Sequence, residues 1–345
     1  MNSVRSVRNS KTLGQQVVAF SISYDQADGG PRGIGAEHLR EALLQMARPI
    51  LRAQAAIAYA GYLDPIPPPG CNFTLELLNL IREEQQERST SGSTVGGLYN
   101  HQAWPLYLNL SREKEAEWIT CCHIVRITQK MAGIADPLPD HPSEGDEIRR
   151  FIHRAFCLSA MRRFMATGCQ VEIEGAPTTP RVIPPASARI VLGGKLTGFA
   201  GIMPGILEEI LCAREAPGPC PIFILGGFGG AAGTIARALL EGGVDRDPRF
   251  KPEHYATAPA NEKKAGFTDL LSHWDSIEKP AGSRSPAEGF AALRALLGRF
   301  GKMPADFLQN GLTDDDNRRL LTTVDPTEAV RLVLRGFSNL TEEKE

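Results

Sequence analysis

Two short runs, "ARIVLGG" (188–194) and "CPIFILGGFGGAAG" (220–233), restrict the fold more than anything else in the chain. Each is a nearly unbroken apolar series that ends in paired glycines. Strands buried on both faces read this way. The segment between them, "ILEEILCARE" (206–215), carries apolar residues at helical spacing. Strand, helix and strand in that order call for a parallel pair joined by a crossover helix.

The same alternation starts earlier. "QQVVAFSIS" (15–23) and "AAIAYAGYL" (55–63) read as strands, and "GAEHLREALLQMARPILRAQ" (35–54) reads as the amphipathic helix that joins them. A second helix is expected over 72–89, with Asn72 or Thr74 available as its cap, and a long one over 146–168. The runs 103–110 and 118–127 look like strands, while 169–187 is a proline-broken connection with room for a hairpin. The expected fold is α/β: a Rossmann-like, doubly wound, mostly parallel sheet with helices on both faces and a helical C-terminal extension. Residues 1–14 form a flexible N-terminus, 15–243 the nucleotide-binding core, and 244–345 a loop-rich and helical extension packed on it.

Apolar residues make up 42% of the chain and charged ones 23%, ordinary for a protein that buries a core, and the net charge of −2 leaves no electrostatic footprint for nucleic acid. The basic N-terminus has no apolar stretch behind it of the kind a secretory signal needs, and no run approaches the ~18 apolar residues of a membrane span. A cytoplasmic location with no membrane or nucleic-acid partner is expected. The seven cysteines form no C-x-x-C pair, so reduced core thiols are expected. His123 beside Cys121 and Cys122 lies in an apolar run and reads as core, and no metal is expected.

Glycines at strand ends let backbone amides approach a ligand at the carboxyl edge of the sheet, where open α/β sheets bind. Gly227, Gly229 and Gly230 stand between a strand and a helix whose free N–H groups suit phosphate. Their spacing is neither a G-x-G-x-x-G nor a P-loop, and tight strand-to-helix packing explains them as well. In "IVLGGKLTGFAGIMPGILEEIL" (190–211), Pro204 and Gly205 suit a helix start. Glu208 and Glu209 then fall about 100° apart around the helix axis. One faces the site and the other faces solvent or a basic neighbour: Glu209 is the functional choice and Glu208 its solvated neighbour, retained among the ligand contacts. Ser21 and Ser23 after the first strand and Gly61 after the second hold similar positions at strand ends.

These residues resemble the SLOG superfamily, the Rossmann-like group that includes the cytokinin-activating LOG phosphoribohydrolases and the DprA-related proteins. The likeness is greatest to prokaryotic relatives of the N-terminal nucleotide-binding region of melastatin-type TRP channels. It rests on the two glycine segments together with "VVAFSISYD", "AIAYAGYL", "LSAMRRFM" and the tail from "NGLTDDD". The resemblance implies binding of a nucleotide or nucleotide sugar such as NAD or ADP-ribose, with no separate cofactor. LOG enzymes carry a P-G-G-x-G-T-x-x-E motif. Here Gly193 and Gly194 match the paired glycines, Gly205 the later glycine and Glu209 the glutamate. Arg162, with Arg163 as its rival, matches an upstream catalytic arginine.

Two departures stand out. A loop of some ten residues is inserted before Gly205, in which Lys195 and Thr197 could reach a diphosphate or second ribose, and Ile206 replaces the motif threonine. Two functions remain open at this point. One is an enzyme cleaving an N-glycosidic bond in a nucleotide, in antiviral defence or nucleotide signalling. The other is a non-catalytic sensor acting through a homo-oligomer or an effector protein in trans.

Overall fold

A computed structural model describes residues 16–64, 70–89, 96–141, 143, 145–173, 176–218, 220–256, 266–300 and 302–342; the expected flexible stretch 1–14 lies outside them. The chain runs β1 (Val17–Ser23), α1 (Gln26–Gly29), α2 (Ala36–Arg52), β2 (Ala56–Tyr59), α3 (Phe73–Ser89), β3 (Leu98–Ala103), α4 (Arg112–Trp118), β4 (Cys122–Ile127) and α5 (Glu147–Thr167). It continues through β5 (Cys169–Ile173), β6 (Ala176–Ile183), β7 (Ala188–Gly193), α6 (Gly205–Glu215), β8 (Ile222–Leu225) and α7 (Gly230–Glu241). The remainder is helical: α8 (Glu253–Ala256), α9 (Phe267–His273), α10 (Pro286–Phe300), α11 (Pro304–Leu308), α12 (Asp314–Thr322) and α13 (Pro326–Glu342).

Six strands form one parallel sheet in the order β4-β3-β2-β1-β7-β8, with the antiparallel β5–β6 hairpin apart from it. This is the Rossmann-like α/β architecture. The apolar runs are continuous because both faces of the sheet are covered. Along β7 the side chains alternate: Ile190 and Leu192 join a cluster with residues of α2, α3 and α13, whereas Val191 joins one with α6, α7 and α10. The order of strands reverses at β1, which has β2 on one side and β7 on the other. A crevice therefore opens beyond the carboxyl ends of β1 and its neighbours.

Two stretches differ from the sequence expectation. The strand beside β2 is Leu98–Ala103, and residues 106–109 form a 3-10 turn. Asn100, His101 and Gln102 break the apolar pattern, yet all three are buried. Within 118–127 only Cys122–Ile127 is strand, because Ser111 caps a short helix that runs through Trp118. Asn72, by contrast, caps α3, its Oδ1 accepting from the amides of Thr74 at 3.0 Å and Leu75 at 3.2 Å.

The C-terminal helices complete the sheet's cover. Ala329, Leu332, Val333 and Phe337 of α13 share a buried cluster with Val18, Phe20, Leu39 and Leu43. The Asn310 amide donates to the Ile222 carbonyl of β8 at 3.0 Å. No helix among the described residues is long and apolar enough to cross a membrane.

Candidate functional site

The carboxyl ends of β1, β2 and β3, the flank of α5, the start of α6 and the loop 195–200 enclose a cleft of about 240 Å³. Ser21, Ser23, Gly61, Arg162, Lys195, Gly205 and Glu209 all line it. Seven residues far apart in the chain thus converge at the place where the strand order reverses.

Its polar wall carries Glu209 and Arg162, each held by an oppositely charged partner that does not line the cleft, Arg189 and Glu208. Pro204 sets the start of α6, and one turn on, Glu208 and Glu209 diverge. Glu209 Oε2 accepts from the Ser21 hydroxyl and, at 2.6 Å, from Arg189 Nη1, which also donates to Ser21 Oγ at 2.6 Å. Both bonds go to one oxygen, so Oε1 is left without a protein partner among the described residues. Arg189, the second residue of β7, is fully buried, and its Nε and Nη2 have no partner among the described residues. Its place could have been read from the sequence, since one arginine interrupts the apolar run "ARIVLG".

Glu208 is a correction to the sequence reading. It is 4% exposed, not solvated, and forms an ion pair with Arg162 of α5, itself 6% exposed. A charge at that depth requires a partner. Gly201 and Gly205 make room for the guanidinium, since a Cβ at either would stand within 2.5 or 3.0 Å of its terminal nitrogens. Arg162 Nε has no partner among the described residues. Beside it, the first amides of α6 lack a side-chain cap, because the capping position is Pro204. Arg163, the rival arginine, lines a separate cleft of about 360 Å³ together with Glu208, Cys212 and Arg284.

The glycine cradle works differently from the sequence expectation. Gly193, Gly194, Gly227, Gly229 and Gly230 do not line the cleft, and neither does the exposed Thr197. Their neighbourhood is filled by the protein itself. The Gly194 amide donates to Ser23 O at 2.7 Å, Lys195 N to Ser23 Oγ at 3.0 Å and Leu196 N to Asp25 Oδ2 at 3.0 Å. At the start of α7, the Gly230 amide donates to Asp28 Oδ2 at 2.6 Å. Two aspartates therefore occupy the amides and the helix terminus where phosphate was expected. The missing side chains serve packing: a Cβ on Gly194 would collide with Ile206 and Ala231, one on Gly230 with the Gly194 backbone, and one on Gly227 with Thr323. Gly61 likewise yields space to Thr74 and Tyr59.

Besides Glu209, the cleft is lined by Tyr59, Tyr62, His101, Trp104, Leu158 and Met161. The Tyr59 hydroxyl donates to Ile22 O at 3.1 Å, and burial, then the charge of Glu209, push its pKa up. His101 is 1% exposed, and burial lowers its pKa to about 4, so it is neutral near pH 7. Sequence reasoning missed His101 because it stands in a polar stretch that does not read as a strand. Trp104 lines the cleft from a position that is 1% exposed.

A doubly wound sheet with a polar cleft at its switch point defines a Rossmann-like protein. A sequence model described as SLOG cluster2 matches residues 12–175 and 180–320, and the chain belongs to that family of the SLOG superfamily. A search of curated proteins finds no match. SLOG membership goes with nucleotide-related binding or processing.

Proposed function

We propose that the cleft binds a nucleotide or nucleotide sugar of the NAD or ADP-ribose kind and cleaves its N-glycosidic bond. The observation that carries this is the Glu209 carboxylate at the cleft wall, held through one oxygen by Arg189 and Ser21 and without a partner among the described residues at the other. Phosphate belongs at the uncapped start of α6, with Arg162 and Lys195 beside it. The ribose then lies against Glu209. As the bond from C1′ to the base nitrogen breaks, its electron pair leaves with the base, and Glu209 stabilises the positive charge growing at C1′. A water whose proton passes to Glu209 adds to C1′; that proton goes on to adenine, which leaves as an anion, or to solvent where nicotinamide leaves a pyridinium as a neutral base.

A sensor that binds without turnover is the second reading. Ile206 favours it, since an apolar side chain 5% exposed replaces the hydroxyl of the LOG motif. Such a sensor would act through a homo-oligomer or an effector protein in trans, and either reading fits antiviral defence or nucleotide signalling. One experiment separates the two: purified protein is incubated with NAD, ATP, AMP and ADP-ribose, binding is followed by calorimetry and released base by chromatography. Base release by the wild type that Glu209→Gln abolishes supports the enzyme. Binding without release leaves the sensor, and binding that Arg162→Met does not weaken refutes the phosphate placement.

A further inference from the structure

Two residues that line the cleft carry buried ring nitrogens without a hydrogen-bond partner among the described residues. Among the described residues neither His101 Nε2 nor Trp104 Nε1 has a partner, and both are sealed from solvent on residues each 1% exposed that line the cleft. Buried polar atoms are nearly always satisfied, and leaving one unpaired costs about 1–3 kcal/mol. Two along one cleft mark places for ligand atoms.

Their chemistry is complementary. His101 Nδ1 lies 3.3 Å from the Tyr99 carbonyl, which can only accept, so Nδ1 carries the ring proton. The imidazole is neutral near pH 7. Nε2 is then an acceptor, whereas the indole N–H of Trp104 can only donate. Around them Tyr62, Leu106, Leu158 and Met161 supply apolar surface that suits a flat ring.

From this juxtaposition we infer that His101 and Trp104 form a base subsite that recognises a heteroaromatic ring carrying a primary NH₂ next to an acceptor. The NH₂ donates to His101 Nε2, and the acceptor takes the Trp104 N–H. The inference rests on the nucleotide reading above, within which two bases carry that pattern: adenine, and nicotinamide through its carboxamide.

The test is calorimetric, with two ligand pairs that differ only at the amine. AMP is compared with purine riboside 5′-monophosphate, and nicotinamide mononucleotide with nicotinic acid mononucleotide. The aminated member of one pair should bind about tenfold tighter, the scale of one lost hydrogen bond that leaves a buried partner unpaired. The pair that discriminates identifies the base. His101→Leu should erase the discrimination, and Trp104→Phe should weaken both members of that pair. Ribose 5-phosphate, which reaches only the Arg162 end, should bind these variants as it binds the wild type, which also confirms that they are folded. If neither pair discriminates while ribose 5-phosphate binds and Arg162→Met abolishes that binding, the base subsite is refuted and the phosphate placement stands. If no ligand binds, both fall.

Discussion

Glu209→Gln, the natural test of chemistry at this cleft, should also be a stability variant, and more so than removal of its partner. Arg189 is 0% exposed at its side chain and Glu209 12%. Arginine keeps its charge in any protein interior, so Glu209→Gln leaves a cation sealed in the sheet with no counter-charge. Breaking a buried pair costs about 3–5 kcal/mol. The Gln amide oxygen can still accept from Arg189 Nη1, which puts the expected loss near the lower end, about 3 kcal/mol. Arg189→Met leaves a carboxylate at the edge of a cleft, where water reaches it. It also removes Nε and Nη2, which have no partner among the described residues. Its cost should be about 1–2 kcal/mol, and the double variant should return to within about 1 kcal/mol of wild type. Urea unfolding followed by the fluorescence of the three tryptophans measures all four proteins. Glu209→Gln unfolding at the wild-type midpoint, or Arg189→Met proving the weaker protein, would refute the assignment of Arg189 as the buried, dependent charge.

Three further outcomes are expected. His101 titrates at about 4 in the folded chain against an ordinary 6.5, so the unfolded chain gains its proton first as pH falls. The resulting stability is complete above pH 6.5 and drains away towards pH 4, by about 3 kcal/mol. His101→Leu should flatten that decline in urea midpoints, although His153, also lowered to about 4 by burial, keeps part of it. Gly227→Ala should destabilise by about 2 kcal/mol or more through its clash with the Thr323 backbone. Gly198→Ala, with open space around it, should cost about 1 kcal/mol for its positive φ alone; equal melting of the two variants would contradict this. Burial raises the thiols of Cys71 and Cys169 to about 11 and those of Cys122, Cys157 and Cys212 to about 12. Native protein at pH 7.5 should therefore label far more slowly with iodoacetamide than protein in urea, and fast labelling at any of the five would speak against that burial.

Periodicity made β1, β2, β7, β8 and most long helices legible, because their apolar residues repeat at the spacing their burial demands. β3 was hidden, since Asn100, His101 and Gln102 are buried polar residues whose partners come from elsewhere in the fold, such as the Asn100 Oδ1 that accepts from the Gly61 amide at 3.3 Å. At the cleft, strand-end positions and motif spacing pointed to Ser21, Ser23, Gly61, Arg162, Lys195, Gly205 and Glu209. What they could not reveal is competition within the protein. Whether a glycine-flanked amide meets phosphate or Asp28 depends on a short helix more than two hundred positions away in the chain. Glu208 was misread for the same reason, as its partner Arg162 belongs to another helix.

The place of β1 also has a consequence for how the chain is made. β1 leaves the ribosome before every other strand of the sheet, and β2, β3 and β4 can stack outward from it as they emerge. Its other edge, however, pairs only when Val18 meets Ala188. The cluster on its apolar face, begun by Leu39 and Leu43 of α2, is completed later still, when α13 seats Leu332 and Phe337, the latter with its ring 4.9 Å from that of Phe223. Through most of synthesis the middle of the sheet is thus an unpaired apolar edge, a template for pairing with other chains. Fragments that stop before Gly193 should collect as insoluble material, and slow delivery of the second half would favour the same fate.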